Sequence, residues 1–136
     1  MEGLSMSVIT VTDATFQKEV LEASKIKPVL VEFSTRAKEN KQKLPNASAK
    51  MDAVIDELDA VYAEQVKFVR VEIELDPDLK DTLNPVTSNM YAINHGPTTV
   101  LIKTVEEIVE IVGGYDRKYV EDKSKAFAGI DNGGAR

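Results

Sequence analysis

The sequence predicts an α/β fold in which a central mixed β-sheet is flanked by helices. Three observations lead there. Short, branched apolar runs of strand length alternate with stretches whose apolar residues recur at spacings of three and four. The last two strand-like runs are separated by a connection short enough for antiparallel pairing. The whole chain is 136 residues, a length that fits one domain with a sizeable core. The predicted order is βαβαβαββα, and alternation ending in a hairpin implies a mixed sheet covered on both faces.

The first strand is read from Val8, Ile9 and Val11. A helix start follows at Thr12 or Asp13, whose side-chain oxygens can accept from the unpaired amides of a first turn. Phe16, Val20 and Leu21 share one face of that helix. After Pro28, the run Val29, Leu30, Val31, with Phe33 beyond Glu32, has the length and composition of a buried strand. From Met51, the residues Met51, Val54, Ile55, Leu58, Val61 and Tyr62 mark an amphipathic helix with acids between them. Pro45 lacks an amide donor, so it either kinks a longer helix or sits near the start of this one.

Val69, Val71, Ile73 and Leu75 alternate with Arg70, Glu72 and Glu74, the period of a third strand. A short helix carrying Leu79 and Leu83 is expected next, and the turn-rich segment Asn84 to Asn89 is expected as an exposed loop. Thr98 to Ile102 and Ile108 to Val112 form the hairpin. Asp116 is the N-cap of a last helix with Tyr119, Val120 and Phe127 inward. The expected domain spans residues 8–128, between flexible segments at 1–7 and 129–136.

Hydrophobic residues make up 43% and charged residues 29% of the chain, the balance of a folded globular protein. Apolar runs are far shorter than the ~20 residues of a membrane helix, so a cytoplasmic location is expected. The formal net charge of -6 opposes general affinity for nucleic acid or anionic membrane. Cysteine is absent. That removes disulfides, thiolate nucleophiles and cysteine-ligated metal together.

In element order and in several local segments, the chain from Val8 to Phe127 resembles the thioredoxin family. Lys27-Pro-Val-Leu-Val-Glu-Phe33 looks like the family's strand entering the active-site turn. Val71-Glu-Ile-Glu-Leu-Asp-Pro-Asp-Leu79 is similar to its next strand and acidic turn. Tyr91-Ala-Ile-Asn-His-Gly-Pro-Thr98 looks like its cis-proline segment, here at Pro97. The resemblance implies a thioredoxin fold. Where the family places Trp-Cys-Gly-Pro-Cys, a gap-free alignment from Phe33 gives Ala37-Lys38-Glu39-Asn40-Lys41, and about eight extra residues follow near Lys43 to Lys50. Dithiol exchange needs an attacking thiolate and a resolving thiol, so the resemblance comes without the family's reaction.

The resemblance also matches Glu32 to the family's buried acid and Arg70 to its basic neighbour. With no thiol to serve, the two are expected as a structural ion pair or as groups at a sheet edge. A cis bond at Pro97 would present the backbone of Gly96 to an extended peptide, and Gly113 and Gly114 would border the same groove or simply form a turn. Arg36, Lys38, Lys41, Lys43 and Lys50 face one acid, Glu39, giving that segment a charge of +4 and leaving -10 on the rest. Such asymmetry either attracts an acidic partner or a phosphate-bearing ligand, or marks a solvated turn. His95 is the only histidine, and no metal or other cofactor is expected. Ser34 has no base partner legible in the sequence.

These readings favour a redox-inactive, non-enzymatic binding module. Its expected recognition residues are Lys38, Glu39, Asn40, Lys41, Gly96, Pro97, Thr98, Gly113 and Gly114, meeting another protein or an extended segment. One alternative is an assembly subunit using residues 84–89 and the lengthened second helix. Another is an enzyme of non-thiol chemistry.

Overall fold

A computed structural model describes residues 8–74, 84–93 and 96–128. The strands are β1 (Ile9–Thr10), β2 (Val29–Thr35), β3 (Lys67–Ile73), β4 (Thr98–Lys103) and β5 (Glu106–Val112). The helices are a first segment over Gln17–Lys25, wide-pitched and then tightening to a 3-10 turn, followed by α1 (Ala47–Tyr62), α2 (Pro85–Met90) and α3 (Arg117–Ala128). The order matches the expected one. Leu75, Leu79, Leu83, Asp76, Asp78 and His95, with the segments 1–7 and 129–136, lie outside the described residues.

The sheet order is β1-β3-β2-β4-β5. β2 lies at its centre, parallel to β3 and antiparallel to β4, and six of its seven residues are buried, as its continuous apolar run requires. Alternation along β2 divides two cores. Val29, Val31 and Phe33 face Phe16, Val20 and Ile93, while Leu30 faces Met51, Ile55, Leu58 and Tyr62 of α1. The same alternation turns Glu32 toward α1. Val61, expected on the inner face of α1, is instead 41% exposed, because the buried stripe follows Ile55, Leu58 and Tyr62.

Asn46 caps α1 by accepting from the Ala49 amide at 2.9 Å, so Pro45 stands just before the helix and does not kink it. Asp116 caps α3 by accepting from the Tyr119 amide at 2.9 Å. Val120 is buried, but Tyr119 is not inward; it is 39% exposed and stacks on Tyr115 at 4.2 Å. The side chain of Phe127 lies outside the described residues.

Two expectations fail together, for one physical reason. Asp13 does not cap its own helix, and Thr12 serves it only through the backbone carbonyl, which accepts from the Thr15 and Phe16 amides. The Asp13 carboxylate instead crosses to α2, accepting from Val86 N at 3.0 Å, Thr87 N at 2.8 Å and Thr87 Oγ1 at 2.6 Å. Asn84 answers, its Oδ1 accepting from Asp13 N at 3.0 Å and its Nδ2 donating to Glu72 O at 2.8 Å. The segment 84–89, expected as an exposed loop, is therefore helical from Pro85, with Thr87 and Ser88 buried. A remote carboxylate supplied the cap, which local reading does not see. Asp13→Ala is expected to destabilise the fold by about 1–2 kcal/mol in urea denaturation, and an unchanged midpoint would remove this cap from the account.

Candidate recognition face and the polar cluster behind it

β2 leads into a closed loop before α1. Thr35 Oγ1 donates to Ala37 O at 2.7 Å, and Asn46 donates through its side chain to Ala37 O at 2.8 Å and through its amide to Lys38 O at 2.9 Å. Glu39 and Pro45 form an antiparallel bridge. Asn40 closes the tip, its Oδ1 accepting from Gln42 N at 2.9 Å and Leu44 N at 3.1 Å. Asn40 is thus engaged within its own loop, while Lys41 is exposed.

The loop keeps Lys38 to Lys41 out of the helix that follows: α1 begins after Asn46, and its first turn holds Ala47, Ser48 and Ala49. None of these positions carries sulfur, so dithiol chemistry has no thiolate at either place.

Lys38 turns inward. Its Nζ donates to Ser34 Oγ at 2.6 Å and pairs with Asp52 Oδ2 at 3.0 Å. Ser34 Oγ in turn donates to Asp52 Oδ1 at 2.7 Å. Ser34 is fully buried, so its lysine contact is structural rather than a nucleophile open to substrate. Register places Arg70 opposite Glu32. Arg70 Nε lies 2.6 Å from Glu32 Oε1 and 3.3 Å from Asp52 Oδ1, and Nη2 lies 3.1 Å from Asp56 Oδ1.

The charges of this cluster balance only if one acid is neutral. Two cations, Arg70 and Lys38, face three acids, and fully buried Glu32 shares Arg70 with Asp52 and Asp56. Burial pushes Glu32 up to about 9, and a proton shared with Asp52 adds to the rise, against the pull of Arg70. Its Oε2 has no hydrogen-bond partner among the described residues, and a neutral oxygen left there costs less than a charged one. Asp52 moves oppositely. Burial alone would raise it, but hydrogen bonds from Glu32, Ser34 and Lys38, with the charge of Arg70, hold it below its usual value.

The Gly96–Pro97 bond is cis. A Cβ on Gly96 would fall 2.4 Å from Thr35 Cγ2, so Gly96 is packed against the end of β2. Pro97 and Thr98 are buried, and Pro97 O accepts from Gly113 N at 2.8 Å. Gly113 has φ +99°, a left-handed backbone that favours glycine. A Cβ on Gly114 would sit 3.5 Å from Ala47 Cβ. The fold therefore brings the Gly96-Pro97-Thr98 segment, the Gly113-Gly114 turn and the start of α1 together. Beside them opens a cavity of about 470 Å³ lined by Ala47, Lys50, Met51, Val54, Gly114, Tyr115 and Asp116.

No family model matches the chain. Thioredoxin 1 of Synechococcus elongatus is 33% identical over 103 residues, covering 76% of this chain and 80% of that protein. The chain belongs to the thioredoxin family. A crystal structure of Malassezia sympodialis thioredoxin (Mala s 13), described as a member of a pan-allergen family, superposes with a TM-score of 0.69 at 15% identity. It covers 94% of this chain and 96% of that one, which supports the thioredoxin fold. This thioredoxin-family chain has no cysteine, so the thiol reaction is absent from it.

Asp52, Asp56 and the cavity residues Ala47, Lys50, Met51 and Tyr115 were not among the expected site residues. The spacing of four between Asp52 and Asp56 puts both on one helical face, a signal that, with Glu32 and Arg70 on neighbouring strands, was available. Among the described residues no group of histidine and acids is arranged to hold a metal, and no helix is long and apolar enough to cross a membrane.

Proposed function

We propose that this thioredoxin-family chain is a redox-inactive binding module that receives an extended segment of another protein, and that it is not an enzyme. The supporting observation is the cavity at the start of α1, lined on one side by Gly114, whose neighbour Gly113 donates to Pro97 O. The sulfur is absent from the face while its concave surface remains. In this reading Lys38 supports the loop before α1, Lys41 stands exposed in that loop, and Gly114, next to Gly113, forms part of the cavity wall. The reading places the protein in the cytoplasm, with neither nucleic acid nor membrane as its partner.

The test is selection of a random peptide display library on the immobilised protein, followed by binding to Gly114→Arg. Gly114 is exposed and its neighbours leave ordinary contact room for a Cβ, so the variant fills the cavity mouth without clashing with the core. Selected peptides should lose about tenfold or more in affinity, as when a buried anchor loses its pocket. Equal binding to both proteins would put the recognition surface elsewhere.

A further inference from the structure

Among the described residues, two buried side-chain oxygens have no hydrogen-bond partner, Glu32 Oε2 and Thr99 Oγ1. Their residues stand directly opposite each other in the antiparallel pairing of β2 with β4. Opposed residues project to the same face of a sheet, with Cβ atoms about 4.5–5.5 Å apart. That face is the one α1 covers. Leu30 and Leu101, the next opposed pair on it, and Ile111, opposite Thr99 on β5, all pack in the core with Met51 and Ile55. Both Glu32 and Thr99 are fully buried, so bulk solvent reaches neither oxygen. Arg70 and Lys38 are engaged with Glu32 Oε1, Asp52, Asp56 and Ser34, which leaves Thr99 as the unengaged polar neighbour of Glu32.

A buried oxygen without a partner is costly, and two of them in register on one face are explained by a single shared partner. From this juxtaposition we propose an internal water-binding site between β2 and β4, in which one water bridges Glu32 Oε2 and Thr99 Oγ1. The site is independent of the binding reading above. A hydroxyl donates and accepts, and so does water, so one molecule serves both oxygens whichever Glu32 oxygen holds the proton. An ion does not suit the position. Arg70 Nε, 2.6 Å from Glu32 Oε1, disfavours a second cation, while Asp52 and the apolar surroundings disfavour an anion. Leu30, Leu101 and Ile111 offer no polar side-chain atom to a larger guest.

The test is ¹⁷O magnetic relaxation dispersion, which counts long-lived internal waters without a contribution from hydroxyl proton exchange. It is run on the full chain, on Thr99→Val, which keeps the branched shape suited to a strand and removes the hydroxyl, and on Thr99→Ser, which keeps the hydroxyl. Thr99→Val should lose one long-lived water relative to wild type, and Thr99→Ser should retain it. The ¹³C titration of the Glu32 carboxyl should also move to higher pH in Thr99→Val, because the charged form loses a hydrogen-bond donor. An equal count of long-lived waters in wild type and Thr99→Val would overturn the inference. A lost water with an unmoved Glu32 titration would overturn it too, by placing that water on Thr99 alone. Should Thr99→Val not fold, a high-resolution crystal structure of the unsubstituted chain decides. A water about 2.5–3.0 Å from both oxygens is expected there, and a direct Thr99–Glu32 hydrogen bond, or no water between them, would overturn the site.

Discussion

Arg70→Met is expected to destabilise the protein by about 3–5 kcal/mol, the cost of removing one partner from a buried charge cluster. Arg70 is 16% exposed and bonds three acids from two elements, Glu32 on its neighbouring strand and Asp52 and Asp56 on α1. Methionine keeps much of the apolar stem, so the loss reports the guanidinium and not a large cavity. Asp52 retains Lys38 at 3.0 Å, whereas Asp56 has no other ion-pair partner among the described residues. Urea unfolding of the single variant and of Arg70→Met/Asp56→Asn separates the two acids, and the second change should recover part of the loss. A destabilisation below about 1 kcal/mol, the scale of an exposed pair, would show that the cluster is solvated.

Wild-type stability is expected to fall as pH rises from about 4.5 to 9, and Glu32→Gln should remove that fall. An unfolded glutamate ionises near 4.5, while the folded chain holds this proton to about 9. Between those values the folded state binds the extra proton, so the stability contribution present below 4.5 is lost as pH rises, by about 1.4 kcal/mol per unit at most. Asp52 and Asp13 are shifted down and act oppositely, losing their contribution only as pH falls through the acidic range. Because both of those groups titrate below this window, the difference between wild type and Glu32→Gln from about 4.5 to 9 reports Glu32. Parallel stability curves across this window would show that Glu32 is ionised in the folded state.

Both predictions depend on a register that the sequence partly discloses. The continuous run Val29-Leu30-Val31 announced a central strand, and the alternation through Val71 and Ile73 announced its neighbour; the pairing of Glu32 with Arg70 followed once those strands aligned. Helix α1 was legible from its apolar spacing because packing and periodicity agree there. The region 84–89 was not, because its helix is stabilised by Asp13, 71 residues upstream of Asn84. The loop before α1 is not legible from spacing, because it is closed by the side chains of Asn40 and Asn46 and by the Glu39–Pro45 bridge. Composition alone excluded the thiol reaction, whereas the cavity needed the fold, since Met51 and Tyr115 meet only when α1 packs beside the β5–α3 connection.

The most direct test of a recognition face without the reaction is a titration of ¹⁵N-labelled protein with a display-selected peptide, followed amide by amide. Shifts should concentrate at Ala47, Lys50, Gly113, Gly114 and Tyr115, and vanish in Gly114→Arg. Shifts confined to the far side of the sheet, around Val86, Thr87 and the first helical segment, would contradict it.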